Sequence, residues 1–278
     1  MSAIYKSEAG RSAVQVRYRE VLREWPVAAE QLRLPTSQGE TFVLASGPAD
    51  APPVILLHGS GGNSSTWRGD IATWARDFRV YAVDMPGEPG GSAENRPELG
   101  SENLALWLDD VLAGLELPAA SFVGMSLGGW TALDYAVRRP QRVTKLALLC
   151  PGGIGKQKYG WIFKNLVDHL FNNHDMRRSA AIVTGLSAEE YGGVLDDVVL
   201  VFDHFNPRTG KLPIFTDDQL RALPMPVLVL VGDRDVMFDS NKTAQRATTL
   251  IPNADARILP DTGHAVLGQT EPVREFLL

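Results

Sequence analysis

Residues 124–129 read GMSLGG, a Gly-x-Ser-x-Gly turn that sets Ser126 between a strand-like run over 120–123 and a helix-like run over 130–136. A strand that bends tightly into a helix holds its central residue in a strained conformation and needs small neighbours, here Gly124 and Gly128. Gly129 lets the helix lie close to the strand before it. The hydroxyl of Ser126 then projects from the tip as a candidate nucleophile. Because a serine hydroxyl is a poor nucleophile at neutral pH, it needs a general base, normally histidine, and a carboxylate to orient that base. Of the five histidines, His264 in DTGH follows the apolar run 256–259 near the C-terminus, where a loop can return to the strand ends. His58 belongs to a different motif, and His169, His174 and His204 fall in a long interval of their own. The carboxylate is expected at another strand end, and VLVLVGDRD over 227–235 offers two aspartates after Gly232. Asp235 is far enough along that loop to reach the histidine, whereas Asp233 suits bracing the turn. Asp239 is placed to start the next helix, and Asp261 is too local to His264 to orient its ring easily.

Acyl transfer also needs fixed donors for a developing oxyanion, and LLHGSGGNSSTW over 56–67 supplies a place for one. An apolar strand there ends in His-Gly and is followed by small residues that bring backbone amides to the upper edge of a sheet. The N–H of Ser60 is assigned as one donor and that of Leu127, at the start of the helix after Ser126, as the other. A phosphate loop is the competing use of HGSGG, but the Gly-Lys-Ser/Thr ending and the GxGxxG spacing are both missing. His58 is expected to be structural, hydrogen-bonded beneath the loop. The chemistry requires no cofactor and no metal, and neither an HExxH motif nor a Cys/His cluster is present.

These groups must be carried by regular elements. The runs 54–57, 80–83, 121–123, 145–149, 227–231 and 256–259 are rich in Val, Leu and Ile and lack alternation, as strands buried on both faces do. Helix candidates lie between them at 65–76, 101–115, 127–138 and 241–250. Repeated strand and helix units predict an α/β fold with a doubly wound, mainly parallel sheet. Ahead of it, Val14, Tyr18, Val21, Leu22 and Trp25 recur at helical spacing, and the segments 31–35 and 41–45 flank a hairpin signal at Ser37, Gln38 and Gly39. The expected organisation is a helical extension over 1–30, a core over 31–151 and 224–278, and an insert over 152–223. That insert of about 70 residues is too long for a structureless loop. It is read as a helical lid over the strand ends, where ligands of open α/β sheets bind. Trp161, Phe163, Leu166, Leu170 and Phe171 have the spacing either of lid core or of an apolar substrate site. Trp161, Phe163 and Met125, which adjoins the nucleophile, are the candidate substrate contacts, although Met125 equally suits packing.

The order Ser126, Asp235, His264, together with HGSGG, VDMPGEPGGS at 83–92, GMSLGG, GDRD and GH, resembles the α/β-hydrolase superfamily over nearly the whole chain from about residue 31. Within it, the N-terminal extension, SFVGMSLGGW and CPGGIG are similar to the serine carboxylesterase branch that includes bacterial naproxen-type esterases. The resemblance implies hydrolysis of small to medium apolar esters through an acyl-enzyme. GEPGGS departs from the shorter Gly-x-Gly-x-Ser of many relatives, which alters a loop near the pocket. A serine rather than an aspartate at the nucleophile position argues against dehalogenases and epoxide hydrolases. Carbon–carbon bond hydrolysis of a β-diketone and a non-catalytic small-molecule receptor remain open on the same architecture.

With 278 residues and 44% hydrophobic content the chain can bury a full core. Its net charge of −6, with signs interspersed and no Lys/Arg-rich run, gives no footprint for nucleic acid. The lone Cys150 excludes an intrachain disulfide and is expected to be a buried strand-end residue. Charges throughout the first 25 residues and the lack of any apolar run of membrane-spanning length predict a cytoplasmic protein that does not enter a membrane. The N-terminal helix could pack on the domain surface or support a homodimer.

Overall fold

A computed structural model describes residues 4–158 and 176–278. Eight strands form one sheet in the order β1-β2-β4-β3-β5-β6-β7-β8. The strands are β1 (Ala29–Thr36), β2 (Gly39–Ser46), β3 (Pro53–Leu57), β4 (Arg79–Val83), β5 (Ala120–Met125), β6 (Val143–Leu149), β7 (Val227–Gly232) and β8 (Ala254–Leu259). The pairings of β2 with β1 and with β4 are antiparallel, and every other pairing is parallel. The first two strands form the expected hairpin, closed by Ser37 and Gln38, with Gly39 at φ +97° where a side chain would be strained.

The lack of alternation in the central strands has a direct cause. Ile55, Leu57, Phe122, Leu146, Leu148, Val227 and Val229 join the apolar layer on one face, while Val54, Leu56, Val123, Ala147, Leu149, Leu228 and Leu230 join the layer on the other. Helices α3 (Asn103–Gly114), α4 (Leu127–Arg138) and α8 (Ser240–Leu250) cover the first face. Tyr18 of α1 (Glu8–Arg23), Trp74 of α2 (Ile71–Trp74) and Val273 of α9 (Thr270–Leu277) pack on the second. Strand β8 departs from the expected double burial, since it is the last strand of the sheet and its Ile258 is 41% exposed. The helix expected over 65–76 is also different: a 3-10 turn (Ser64–Trp67) and the single-turn α2 replace it. Gly69 lies at the break, a poor helix former. The break still lets Trp67, Ile71 and Trp74 all reach the core.

The interval expected as an insert carries α5 (Met176–Thr184), α6 (Gly192–His204) and α7 (Asp217–Arg221) among the described residues. Its two ends are woven into the core rather than merely connected to it. Ile154 and Phe215 belong to the main apolar layer, Phe215 stacks on Trp130 at 5.8 Å between centroids, and Trp130 Nε1 donates to the Pro213 carbonyl. The N-terminal helix starts at Glu8 because Ser7 caps it, accepting from Gly10 N. Its apolar face is used within the chain: Tyr18 packs on the sheet layer, and Val14 clusters with Ile4, Tyr5 and Phe205 at the end of α6. No helix among the described residues is long and apolar enough to cross a membrane.

The turn between β5 and α4 is where packing is tightest. A Cβ built on Gly128 would lie 2.1 Å from the Leu57 carbonyl oxygen, and one on Gly124 would lie 2.5 Å from the Gly128 oxygen. Both obstacles are backbone and cannot swing aside. Gly128→Ala is therefore expected to cost about 3 kcal/mol or more, at or beyond the upper end of ordinary overpacking. Urea unfolding of the variant beside the wild type measures it.

Candidate active site

Ser126 sits between β5 and α4 at φ +52° and ψ −109°, a conformation rare for any residue with a side chain. Such strain costs about 1–3 kcal/mol and persists only where the surroundings impose it. They do so through the backbone: Ser126 N donates to Leu149 O of β6 at 2.9 Å, and Ser126 O accepts from Trp130 N at 2.9 Å. The turn is thereby fastened to the neighbouring strand and to its own helix.

The side chain of Ser126 meets His264, with 2.9 Å between Oγ and Nε2. On the far side of the ring, Nδ1 lies 2.9 Å from Asp235 Oδ2. Oδ1 of Asp235 accepts from Met237 N at 2.6 Å and from Phe238 N at 3.0 Å, so both carboxylate oxygens are engaged. Phe238 also presents its ring to the imidazole in a T-shaped contact at 5.1 Å. Burial by itself would raise the Asp235 carboxyl, but the hydrogen bond and charge of His264 and the two backbone N–H groups outweigh it and hold it below the ordinary carboxylate range. An ionised Asp235 accepts from Nδ1–H, which leaves Nε2 as the acceptor for the serine hydroxyl.

The other aspartates have separate work. Asp233 Oδ1 accepts from Thr262 N at 3.2 Å and so braces the loop that carries His264. Asp239 caps α8 by accepting from Lys242 N, and Asp261 pairs with Arg234. His58 is fully buried, its Nδ1 donating to Gly59 O at 2.8 Å and its Nε2 accepting from Met85 N at 2.9 Å. His204 packs against Gly10 of α1. His169 and His174 lie outside the described residues, as do Trp161, Phe163, Leu166, Leu170 and Phe171.

The turn after β3 passes beside Ser126, since a Cβ on Gly59 would lie 3.5 Å from the serine Cβ. Ser60 N belongs to this turn and Leu127 N to the first position of α4. Neither has an acceptor among the described residues. Glu88 is a residue that sequence reasoning missed. Its side chain is almost wholly buried, Oε2 accepts from Gly61 N at 2.7 Å and from Ser60 Oγ at 3.3 Å, and Oε1 pairs with Arg208 Nε at 3.2 Å. The one available signal was the unusual GEPGGS loop itself, which carries a carboxylate among glycines.

The 152–223 interval also touches this region. Thr184 O accepts from Ala265 N at 2.8 Å, Gly185 lies against Gly263, and Lys158 Nζ donates to Asp235 O at 3.0 Å. Val201 of α6 faces Gly61, 3.7 Å from where a Cβ there would sit. Met125 is buried in the apolar layer with Val123 and Leu149. Cys150 is buried at the end of β6, and burial, helped by the charge of Asp235, pushes its thiol up. No group of three His, Cys, Asp or Glu that could hold a metal ion is gathered among the described residues.

A depressed carboxyl contributes stability that is fully present above its unfolded pKa and is lost as pH falls through its folded one. The difference in melting temperature between wild type and Asp235→Asn is therefore expected to hold steady above about pH 5 and to change progressively below about pH 4, in favour of the variant. Thermal unfolding across this range reads it.

Comparison with known proteins places this geometry among relatives. A family model described as the alpha/beta hydrolase family matches residues 54–277. An uncharacterized carboxylesterase, nap, of Bacillus subtilis (strain 168) is 31% identical over 266 residues, covering 92% of this chain and 87% of that protein. Carboxylesterase YbfK of the same organism is 30% identical over 269 residues, covering 94% and 90%. The crystal structure of naproxen esterase (carboxylesterase NP) from Bacillus subtilis superposes with a TM-score of 0.82 at 29% identity, covering 97% of each chain.

Proposed function

From the premise that the chain belongs to the alpha/beta hydrolase family, we propose that it cleaves carboxylic esters of small to medium apolar substrates through an acyl-enzyme on Ser126. The observation that carries this reading is the continuous line of hydrogen bonds from Ser126 Oγ through both nitrogens of His264 to Asp235. In this reading His264 takes the hydroxyl proton as Ser126 attacks the ester carbonyl, and Asp235 stabilises the imidazolium that results. The N–H groups of Ser60 and Leu127 hold the tetrahedral oxyanion, and such a donor typically contributes about 3 kcal/mol to barrier lowering. His264 next protonates the leaving alcohol and then activates the water that releases the acid. Apart from that water, every group named in these steps is a side chain or a backbone amide of this chain.

The 152–223 interval acts as the lid, with Val201 supporting an apolar wall beside Gly61. Trp161, Phe163 and Met125 are the proposed substrate contacts. Since one structural relative is a naproxen esterase, esters of arylpropionic acids belong in the first substrate panel. A cytoplasmic site of action fits a single, buried and unpaired thiol. The buried apolar face of α1 needs no second copy to cover it.

Steady-state hydrolysis of p-nitrophenyl butyrate tests the assignment. Ser126→Ala is expected to lower kcat by about 10⁴-fold or more, and Asp235→Asn by up to about 10⁴-fold, since the amide favours the wrong imidazole tautomer. Asp233→Asn should stay near the wild-type rate. An active Ser126→Ala enzyme, or a loss at Asp233 in place of Asp235, would overturn the corresponding role.

A further inference from the structure

Glu88 poses an electrostatic problem for the proposed chemistry. Its carboxylate ties the turn after β3 on both sides of the Ser60 Cα, through Ser60 Oγ and through Gly61 N. That tether fixes the residue whose N–H is the proposed oxyanion donor. Yet it also brings a negative charge, in a buried setting, to the back of a site where a second negative charge must form. Like charges in a water-poor environment repel strongly, so an unneutralised Glu88 would oppose the transition state it helps to position. Among the described residues, Oε1 of Glu88 is paired with Arg208, which follows α6 in the 152–223 interval, and the guanidinium of Arg96 lies near enough to interact with the same carboxylate.

Arg208 is well placed for this task. Its side chain is 13% exposed and that of Glu88 1%, so neither solvent nor salt screens the pair as it would at the surface. A second guanidinium nitrogen, Nη1, donates to Pro97 O at 2.9 Å and fixes the head from another direction. Arg96 next to it is anchored independently, on Gly87 O and Asn206 O, so the segment that follows α6 is bound to the 87–97 loop at several points.

We propose that Arg208 is a positioning residue for the oxyanion turn: it holds Glu88 in place and cancels its charge, so that residues after α6 help set the transition-state electrostatics around Ser126. The inference rests on the acyl-transfer reading above. It extends that reading to a pair of residues separated by 120 positions in the chain.

A charge-neutralising role makes a distinctive demand, which a double-mutant cycle in the full chain can check. Arg208→Met should lower kcat for p-nitrophenyl butyrate by about 10–100-fold while KM moves by less than about threefold, because the defect lies in the transition state and not in ester binding. Arg208→Lys, which keeps the charge, should retain more of the rate than Arg208→Met. The double variant Glu88→Gln/Arg208→Met should recover to within about fivefold of wild type, since a neutral amide can still accept from Gly61 N and leaves no charge to cancel. A purely structural role predicts the reverse, with the double variant no better than Arg208→Met. An unchanged kcat in Arg208→Met, or a loss that persists in the double variant, overturns the proposal.

The rate of Ser126 labelling by an alkyl fluorophosphonate, measured on the same variants, keeps the two readings apart. If wild type turned over no ester yet was phosphonylated at Ser126, the esterase reading would fall. The Arg208 proposal would then stand on slower phosphonylation in Arg208→Met with recovery in the double variant, and fall on equal rates. If Ser126 were neither acylated nor phosphonylated in wild type, both would fall.

Discussion

The backbone of Gly128 lies against the carbonyl of Leu57 so closely that no side chain fits between them, and this contact between the start of α4 and the end of β3 governs the site. It brings the turn after Ser126 against the end of β3 and His58, and the turn that follows passes beside Ser126 at Gly59. It also requires the chain to leave β5 abruptly, which forces Ser126 to positive φ and lifts its side chain out of the sheet. The strain is sustained by the two flanking apolar layers and by the bond from Ser126 N to Leu149 O. Stability is thus drawn from the core and held as geometry at Ser126.

Three buried carboxylates at the strand ends show how environment divides labour among similar groups. Asp84 accepts from Tyr18 Oη, Ser64 N, Ser64 Oγ and Gly91 N, so its oxygens are engaged by neutral donors and it works as a knot between loops. Asp235 gives one oxygen to two backbone amides and the other to His264, which leaves it able to answer a change of charge on the ring. Glu88 divides itself between the β3 turn and Arg208. A buried charge is tolerated when each oxygen is hydrogen-bonded or paired, and the choice of partner decides whether it is scaffold or machinery.

Much of this was legible in the sequence because it follows from local rules. Strands buried on both faces must read as unbroken apolar runs, and a strand-to-helix turn must carry glycines around its exposed residue. A carboxylate and a histidine at the ends of later strands meet over it when the sheet is parallel, as Ser126, Asp235 and His264 do. Other features depend on partners that leave no local trace. Nothing in residues 256–259 says that β8 has no further neighbour, and the 65–76 pattern does not reveal that Trp67 and Trp74, 5.9 Å apart, need a break between them to pack together. Glu88 was least legible of all, because a single glutamate has no spacing signature and its partner Arg208 arrives from a distant segment.

The N-terminal helix illustrates how magnitudes decide which of several contacts matters. It reaches α6 through an ion pair between Arg17 and Asp197, both about 38% exposed, and such surface pairs contribute only about 0–1 kcal/mol. It reaches the core through Tyr18, whose buried hydroxyl donates to Asp84, and hydrogen bonds to charged groups contribute about 1.5–3 kcal/mol. The residues just before it also hold α6: Lys6 donates through N to His204 O and through Nζ to Phe202 O, Asn206 N donates to Ile4 O, and Tyr5 packs edge to face on Phe205 beside Ile4 and Val14. The helix is therefore fixed both to the loops that shape the β3 turn and to the end of α6. Since Asp84 binds Ser64 on one side and Gly91 on the other, it braces both the turn that holds Ser60 and the loop that holds Glu88. A segment outside the repeating strand and helix units thus becomes part of the support for the turn after β3, through one buried phenol.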